Sequence, residues 1–255
     1  MKKTLTYLIA TIAFAALSAT AMAQGGLTPV TGSTHEYNVT AEDDESNTLE
    51  WSVVEGTTDT DYIIAGANTE TVTITWEKAG TYTLQFRETA DGTGCIALKE
   101  ATVVVSANTF DVTISDSTIA CNAADGAVNF NGEDTTTVIS FTVDTVGVDW
   151  DFDWEVQFTL STTATISDLT ASAGDAITGS GTLADPYVIT NIAGTVSGID
   201  ISMKVTGDAF TQQSVIMEVV SAAELKYNTP ALLGKNVAST STVNAIPNTS
   251  GISTD

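Results

Sequence analysis

The strongest constraint in this chain is alternation with period two. In Thr71-Val72-Thr73-Ile74-Thr75-Trp76 the Val, Ile and Trp fall on one face and the threonines on the other, as a strand with one side in a core requires. Thr81-Tyr82-Thr83-Leu84-Gln85-Phe86 repeats the pattern after Glu77-Lys78-Ala79-Gly80, a turn by composition, so the pair reads as a hairpin. Leu49 to Val53 upstream and Ala101 to Val105 downstream extend the series. Threonine, 45 of 255 residues, together with Val, Ile and aromatics suits pleated, half-buried surfaces. No segment after the first two dozen residues sustains a 3.6-residue apolar stripe. The expectation is an all-β chain of short strands and polar turns, the pattern of a β-sandwich.

Ser106-Ala107-Asn108-Thr109 has no apolar pattern and precedes a fresh start at Phe110-Asp111-Val112-Thr113-Ile114, which places a domain boundary there. Beyond it, Asp149 to Leu160 sends Trp150, Phe152, Trp154, Val156, Phe158 and Leu160 to one side and acids to the other, the mark of a long strand. Further strands are expected at Tyr187 to Thr190, Ile199 to Val205 and Ser214 to Val220, with turns at Gly174-Asp175 and Gly179-Ser180-Gly181. The four tryptophans, Trp51, Trp76, Trp150 and Trp154, fall on apolar faces and are expected in the cores.

Met1-Lys2-Lys3, an apolar run from Leu5 to Leu17 and Ala21-Met22-Ala23 have the layout of a secretory signal peptide, which places the mature N-terminus at Gln24. No later stretch approaches the roughly 18 consecutive apolar residues of a transmembrane helix. The expected organisation is a signal peptide at 1–23, sandwiches at 24–107 and 108–246, and a tail at 247–255. Lys and Arg number 8 against 32 Asp and Glu, a formal charge of -24. Such a field repels nucleic acid and anionic membranes and is compatible with calcium as counter-ion.

The first half resembles the PKD-like, immunoglobulin-like repeats of secreted Bacteroidota surface proteins. The matching residues are Pro29, Gly32-Ser33-Thr34, Tyr37 and Val39; Trp51; Val72 to Trp76; Gly80-Thr81-Tyr82; and Gly94-Cys95. The resemblance covers about a third of the chain. It implies modular extracellular architecture, as spacer or binding module, with no particular ligand. Two tandem Ig-like or PKD-like β-sandwich domains after a cleaved signal peptide are therefore the expected fold.

Chemistry-bearing residues are few. The single histidine, His35, has no nucleophile motif around it and is expected at the surface or a strand edge. Asp149, Asp151 and Asp153 on one strand face, and Glu42, Asp43 and Asp44 in a turn, are oxygen-rich candidates for calcium; solvated faces that discourage edge-to-edge aggregation are the alternative. Cys95 and Cys121 are expected at opposite poles of an end-to-end pair, too far apart for a bridge that needs Cα atoms within about 7 Å. A bent domain pair, free thiols and a disulfide between successive subunits remain open. Val237, Val243, Ile246 and Ile252 lie in a segment that either closes its own domain or adds as a strand to a neighbour's sheet edge. The chain thus reads as a secreted structural subunit of a surface filament, matrix or layer, partnered by itself or by other surface proteins. An adhesive or carbohydrate-binding module, with a polysaccharide partner, is the alternative; no enzyme is expected.

Overall fold

The computed structural model describes residues 26–41, 47–122, 134–147 and 152–247. Within them the chain is all-β. Its first six strands are β1 (Thr34–Asn38), β2 (Thr48–Val53), β3 (Tyr62–Ala65), β4 (Thr71–Trp76), β5 (Gly80–Thr89) and β6 (Ile96–Val105). They form two sheets, ordered β1-β4-β3 and β2-β5-β6. The alternation in β4 puts Val72, Ile74 and Trp76 at 0% exposure, and that in β5 buries Tyr82, Leu84 and Phe86. Together with Trp51, Val53, Tyr62, Val103 and Val105 they fill one core.

The expected hairpin of β4 and β5 is not formed: the two strands lie in different sheets. Alternation fixes which face of a strand is buried, and a crossover between facing sheets satisfies it as well as a hairpin does. The crossover is pinned where Tyr82 Oη donates to Lys78 O at 2.9 Å, the corner arrangement that ties the start of a strand to the backbone just upstream. Gly80 lets the Tyr82 ring pack close, since a Cβ would stand 3.2 Å from it.

The remaining strands are β7 (Asp111–Ser117), β8 (Ile119–Cys121), β9 (Asp134–Val146), β10 (Trp154–Thr162), β11 (Thr165–Ala171), β12 (Tyr187–Ile192), β13 (Gly198–Asp208), β14 (Gln213–Glu224), β15 (Thr229–Pro230) and β16 (Ala238–Asn244). One sheet runs β11-β13-β9-β7; the other runs β12-β10-β14-β16-β8, with β15 beside β14. Between them lies a second core built on Phe110, Phe141, Trp154, Phe158, Ile201 and Met217, among others. Among the described residues no strand from β1 to β6 pairs with one from β7 to β16. The long strand expected from Asp149 starts at Trp154, and residues 148–151 lie outside the described residues. Trp154, Val156 and Phe158 face the core as the alternation requires, whereas Phe152 stands ahead of the strand, edge-on to Tyr227 with centroids 5.4 Å apart.

Register fixes which end of each unit is which. Gly80 pairs with Val105 and Thr89 with Ile96, so the β5–β6 turn is the end of its unit remote from residues 106–109. In the second unit β7 leads away from that linker. β8 ends where Cys121 pairs with Asn244, again at the remote end.

Candidate functional site

Two places in the molecule hold polar groups in arrangements that packing alone does not explain. The first is the junction between the units. His35 belongs to the inward face of β1 and is 2% exposed. Its ring stacks on Tyr227, in the turn between β14 and β15, with centroids 4.2 Å apart. Ser33 Oγ donates to Val30 O at 2.6 Å and lies 2.9 Å from His35 Nε2. A hydroxyl has one proton, so the imidazole donates from Nε2. Burial, and then the charge of Lys226, lower the His35 pKa from 6.5 to about 4.

The backbone closes the same junction. Thr34 N donates to Tyr227 O at 2.7 Å, and Asn108 Nδ2 donates to Pro230 O at 2.7 Å. Asn108 makes two further hydrogen bonds: its backbone N donates to Thr31 Oγ1 and its Oδ1 accepts from Phe110 N. Gly32, at φ +85°, lets the units approach, since a Cβ there would meet Pro230 Cδ at 3.0 Å. Behind Tyr227, the fully buried Glu224 carboxylate accepts from Lys226 N, Tyr227 N and Thr229 Oγ1. Desolvation raises its pKa despite these donors. His35 stands on an edge strand of its sheet, one of the two positions expected; the other, a surface position, is corrected by its burial. Period two assigns His35 to the inward side, and a second sandwich covers the end of the core that would otherwise meet water.

The second place is the open edge of β6, the last strand of its sheet. Residues 27–31 run parallel to its C-terminal end: Val104 N donates to Leu27 O and Ser106 N to Pro29 O, both at 2.9 Å. Main-chain groups alternate sides along a strand, so those of Leu98, Glu100 and Thr102 point the same way as Val104 and Ser106. Among the described residues, none pairs with them there. Residues 96–100 are exposed on both faces, with Ile96 at 54% and Leu98 at 49%. Beside them a groove of about 230 Å³ opens between the sheets, lined by Tyr37, Val39, Trp51, Phe86, Lys99 and Ala101 among others. Tyr37 closes one end: its hydroxyl donates to Gly26 O at 2.6 Å and accepts from Trp76 Nε1 at 3.0 Å. Burial pushes that hydroxyl up to about 12.

Of the sequence-derived candidates, Glu42, Asp43, Asp44, Asp149, Asp151 and Ile252 lie outside the described residues. Asp153 is exposed, and its Oδ1 accepts from Gly194 N at 3.3 Å. Among the described residues no three His, Cys, Asp or Glu side chains converge as a metal site would require. Cys95 and Cys121 are exposed free thiols, each at the remote end of its unit. Val243 is buried in β16, between β14 and β8 of its own sheet. Val237 and Ile246 flank that strand, the first through its carbonyl to Val219 N and the second through its N–H to Ala209 O. The junction around Tyr227 and the β6 edge were not anticipated from sequence. The run Ile96-Ala97-Leu98 was the available signal for the edge, because it breaks the apolar-polar alternation.

No family model and no curated protein matches the chain. Among solved structures it is similar to the fibronectin(III)-like modules of CbhA from Clostridium thermocellum, at 11% identity and a TM-score of 0.30, covering 88% of this chain and 91% of that one. It is also similar to a putative membrane anchored protein of Corynebacterium diphtheriae, at 9% identity and TM-score 0.28, covering 89% and 59%. A third is the C-terminal domain of the AgI/II polypeptide BspA of Streptococcus agalactiae, at 9% identity and TM-score 0.28, covering 86% and 94%. At such scores the fold rests on the strand pairing described above. No helix among the described residues is long and apolar enough to cross a membrane.

Proposed function

We propose that this protein is an extracellular structural subunit that assembles with copies of itself, end to end, on or beyond the cell surface. The observation that carries the proposal is the closed junction. A spacer must hold its two units at a fixed angle, and here a buried histidine, a stacked tyrosine and two backbone-directed hydrogen bonds lie between them. Domains joined by bare linkers move relative to one another by default; a close-packed and hydrogen-bonded junction opposes that motion. The acidic charge of -24 keeps such a subunit soluble during export and repels unspecific contacts.

Light scattering of the mature chain, residues 24–255, over a concentration series tests this. Mass rising with concentration in steps of one subunit supports it, and a monomer throughout refutes it. The β6 groove, with Tyr37, Trp51 and Phe86 in its lining, favours a second use, as an adhesive module for carbohydrate. Retardation of the protein in polysaccharide-containing native gels, abolished by filling the groove with Ala101→Trp, would support that use.

A further inference from the structure

We infer that the junction is an acid-operated joint: protonation of His35 frees the two sandwiches to swing against each other while each stays folded. This rests on the closed-junction reading above and adds its regulation. The joint is small and separate from both cores. The two core clusters share no residue, and among the described residues no strand of one unit pairs with a strand of the other. What closes it is a short set of contacts: the stack of His35 on Tyr227, Thr34 N to Tyr227 O, Asn108 Nδ2 to Pro230 O, and Gly32 against Pro230. Breaking these leaves both cores filled. Opening the joint therefore costs less than unfolding either unit.

The closed joint suits a neutral ring and opposes a cationic one. Ser33 Oγ gives its proton to Val30 O and accepts from Nε2, so a further proton would enter at Nδ1. On the same strand Tyr37 lies 6.4 Å away between ring centroids, and β4 sets Ile74 opposite. From the second unit the ring faces Tyr227, stacked on it, and Lys226, whose charge already resists protonation. Glu224 stands behind Tyr227, its carboxylate engaged by the N–H groups of Lys226 and Tyr227 and by the Thr229 hydroxyl. Among the described residues no carboxylate pairs with His35.

The size of the bias follows from these surroundings. An imidazole held at about 4 in the closed joint, and returned to 6.5 by water in an open one, shifts the balance toward opening by up to roughly 300-fold once acid protonates it. A ligand moves a two-state element only by its preference for one state, and here the proton is that ligand. A buried imidazole biasing a small interface is a form that pH sensors take. In an end-to-end assembly it turns a stiff chain into a flexible one in acid.

The chain carries its own probes. Cys95 and Cys121 are exposed free thiols at the remote ends of the two units, and His35 is the sole histidine. Donor and acceptor dyes on the two thiols of residues 24–255 report the angle between units as the spread of single-molecule transfer efficiencies. Near-ultraviolet circular dichroism reports the cores. The expected result is one narrow distribution at neutral pH and a second, broad population that grows as pH falls toward about 4, with the dichroism unchanged. Its midpoint matches the NMR titration of the His35 ring, and His35→Phe keeps the narrow distribution throughout. A distribution that stays narrow through the titration of the ring overturns the proposal and leaves the closed junction standing. Equal broadening in His35→Phe does the same and assigns the acid response to another group, such as Glu224. Broadening that comes only with loss of the dichroism signal also overturns it. A distribution already broad at neutral pH overturns the closed junction itself, and the joint with it. The NMR comparison needs no substitution, so a mismatch of midpoints overturns the proposal even where His35→Phe misfolds.

Discussion

Acid should loosen this protein through His35, and the size of the effect follows from the junction. The imidazole is buried against Tyr227, and its pKa drops from 6.5 to about 4. Above pH 6.5 the ring is neutral whether the chain is folded or not, and stability is complete. Between 6.5 and about 4 the unfolded chain takes up a proton that the folded chain refuses. Stability then falls by about 1.4 kcal/mol per pH unit, to a total loss of about 3 kcal/mol. Other groups near the ring are Lys226, Tyr227 and Tyr37, with Glu224 behind Tyr227. Of these, Glu224 acts in the opposite sense. Its pKa is raised by burial, so on acidification the folded chain takes its proton first and gains stability. The contribution of His35 is therefore read as a difference between variants.

His35→Phe keeps a ring on Tyr227 and removes the titration. Urea unfolding followed by tryptophan fluorescence, from about pH 7.5 down to about pH 4, should show the wild type losing about 3 kcal/mol relative to the variant. The gap should open below pH 6.5 and level off near pH 4. Parallel profiles for the two proteins would refute both the burial of His35 and the closure of the junction.

Gly32→Ala should open the same junction, since it places a Cβ 3.0 Å from Pro230 at φ +85°; a loss of about 1 to 2 kcal/mol is expected, with the His35 pKa, read by NMR titration, moving back toward 6.5. Tyr82→Phe removes the donor to Lys78 O and should lower stability by about 1 kcal/mol, seen as an earlier urea midpoint without change in assembly. Trp76→Ala, at a fully buried position, should lose about 3 to 5 kcal/mol, and circular dichroism should show the first unit unfolding at lower urea.

Period-two patterning carried most of what was legible beforehand. It located β4, β5 and the core faces of Trp51, Trp76 and Trp154. It left the sheet partners open, which is why β4 and β5 read as a hairpin; that choice depends on distant strands. The strand Asp134–Val146 was within reach of the same rule, with Thr135, Thr137, Ile139, Phe141 and Val143 buried in alternation. The junction was out of reach. His35 and Tyr227 stand 192 positions apart, and their stacking follows from how two finished sandwiches meet at their ends. The β6 edge was half legible: residues 96–100 are exposed on both faces and, among the described residues, have no strand beside their outer edge, which a single strand's pattern cannot show.

Negative-stain electron microscopy of purified residues 24–255 tests the central claim most directly. Regular end-to-end chains, with a repeat of one two-lobed subunit, are the predicted result. Dispersed two-lobed particles at every concentration would contradict it.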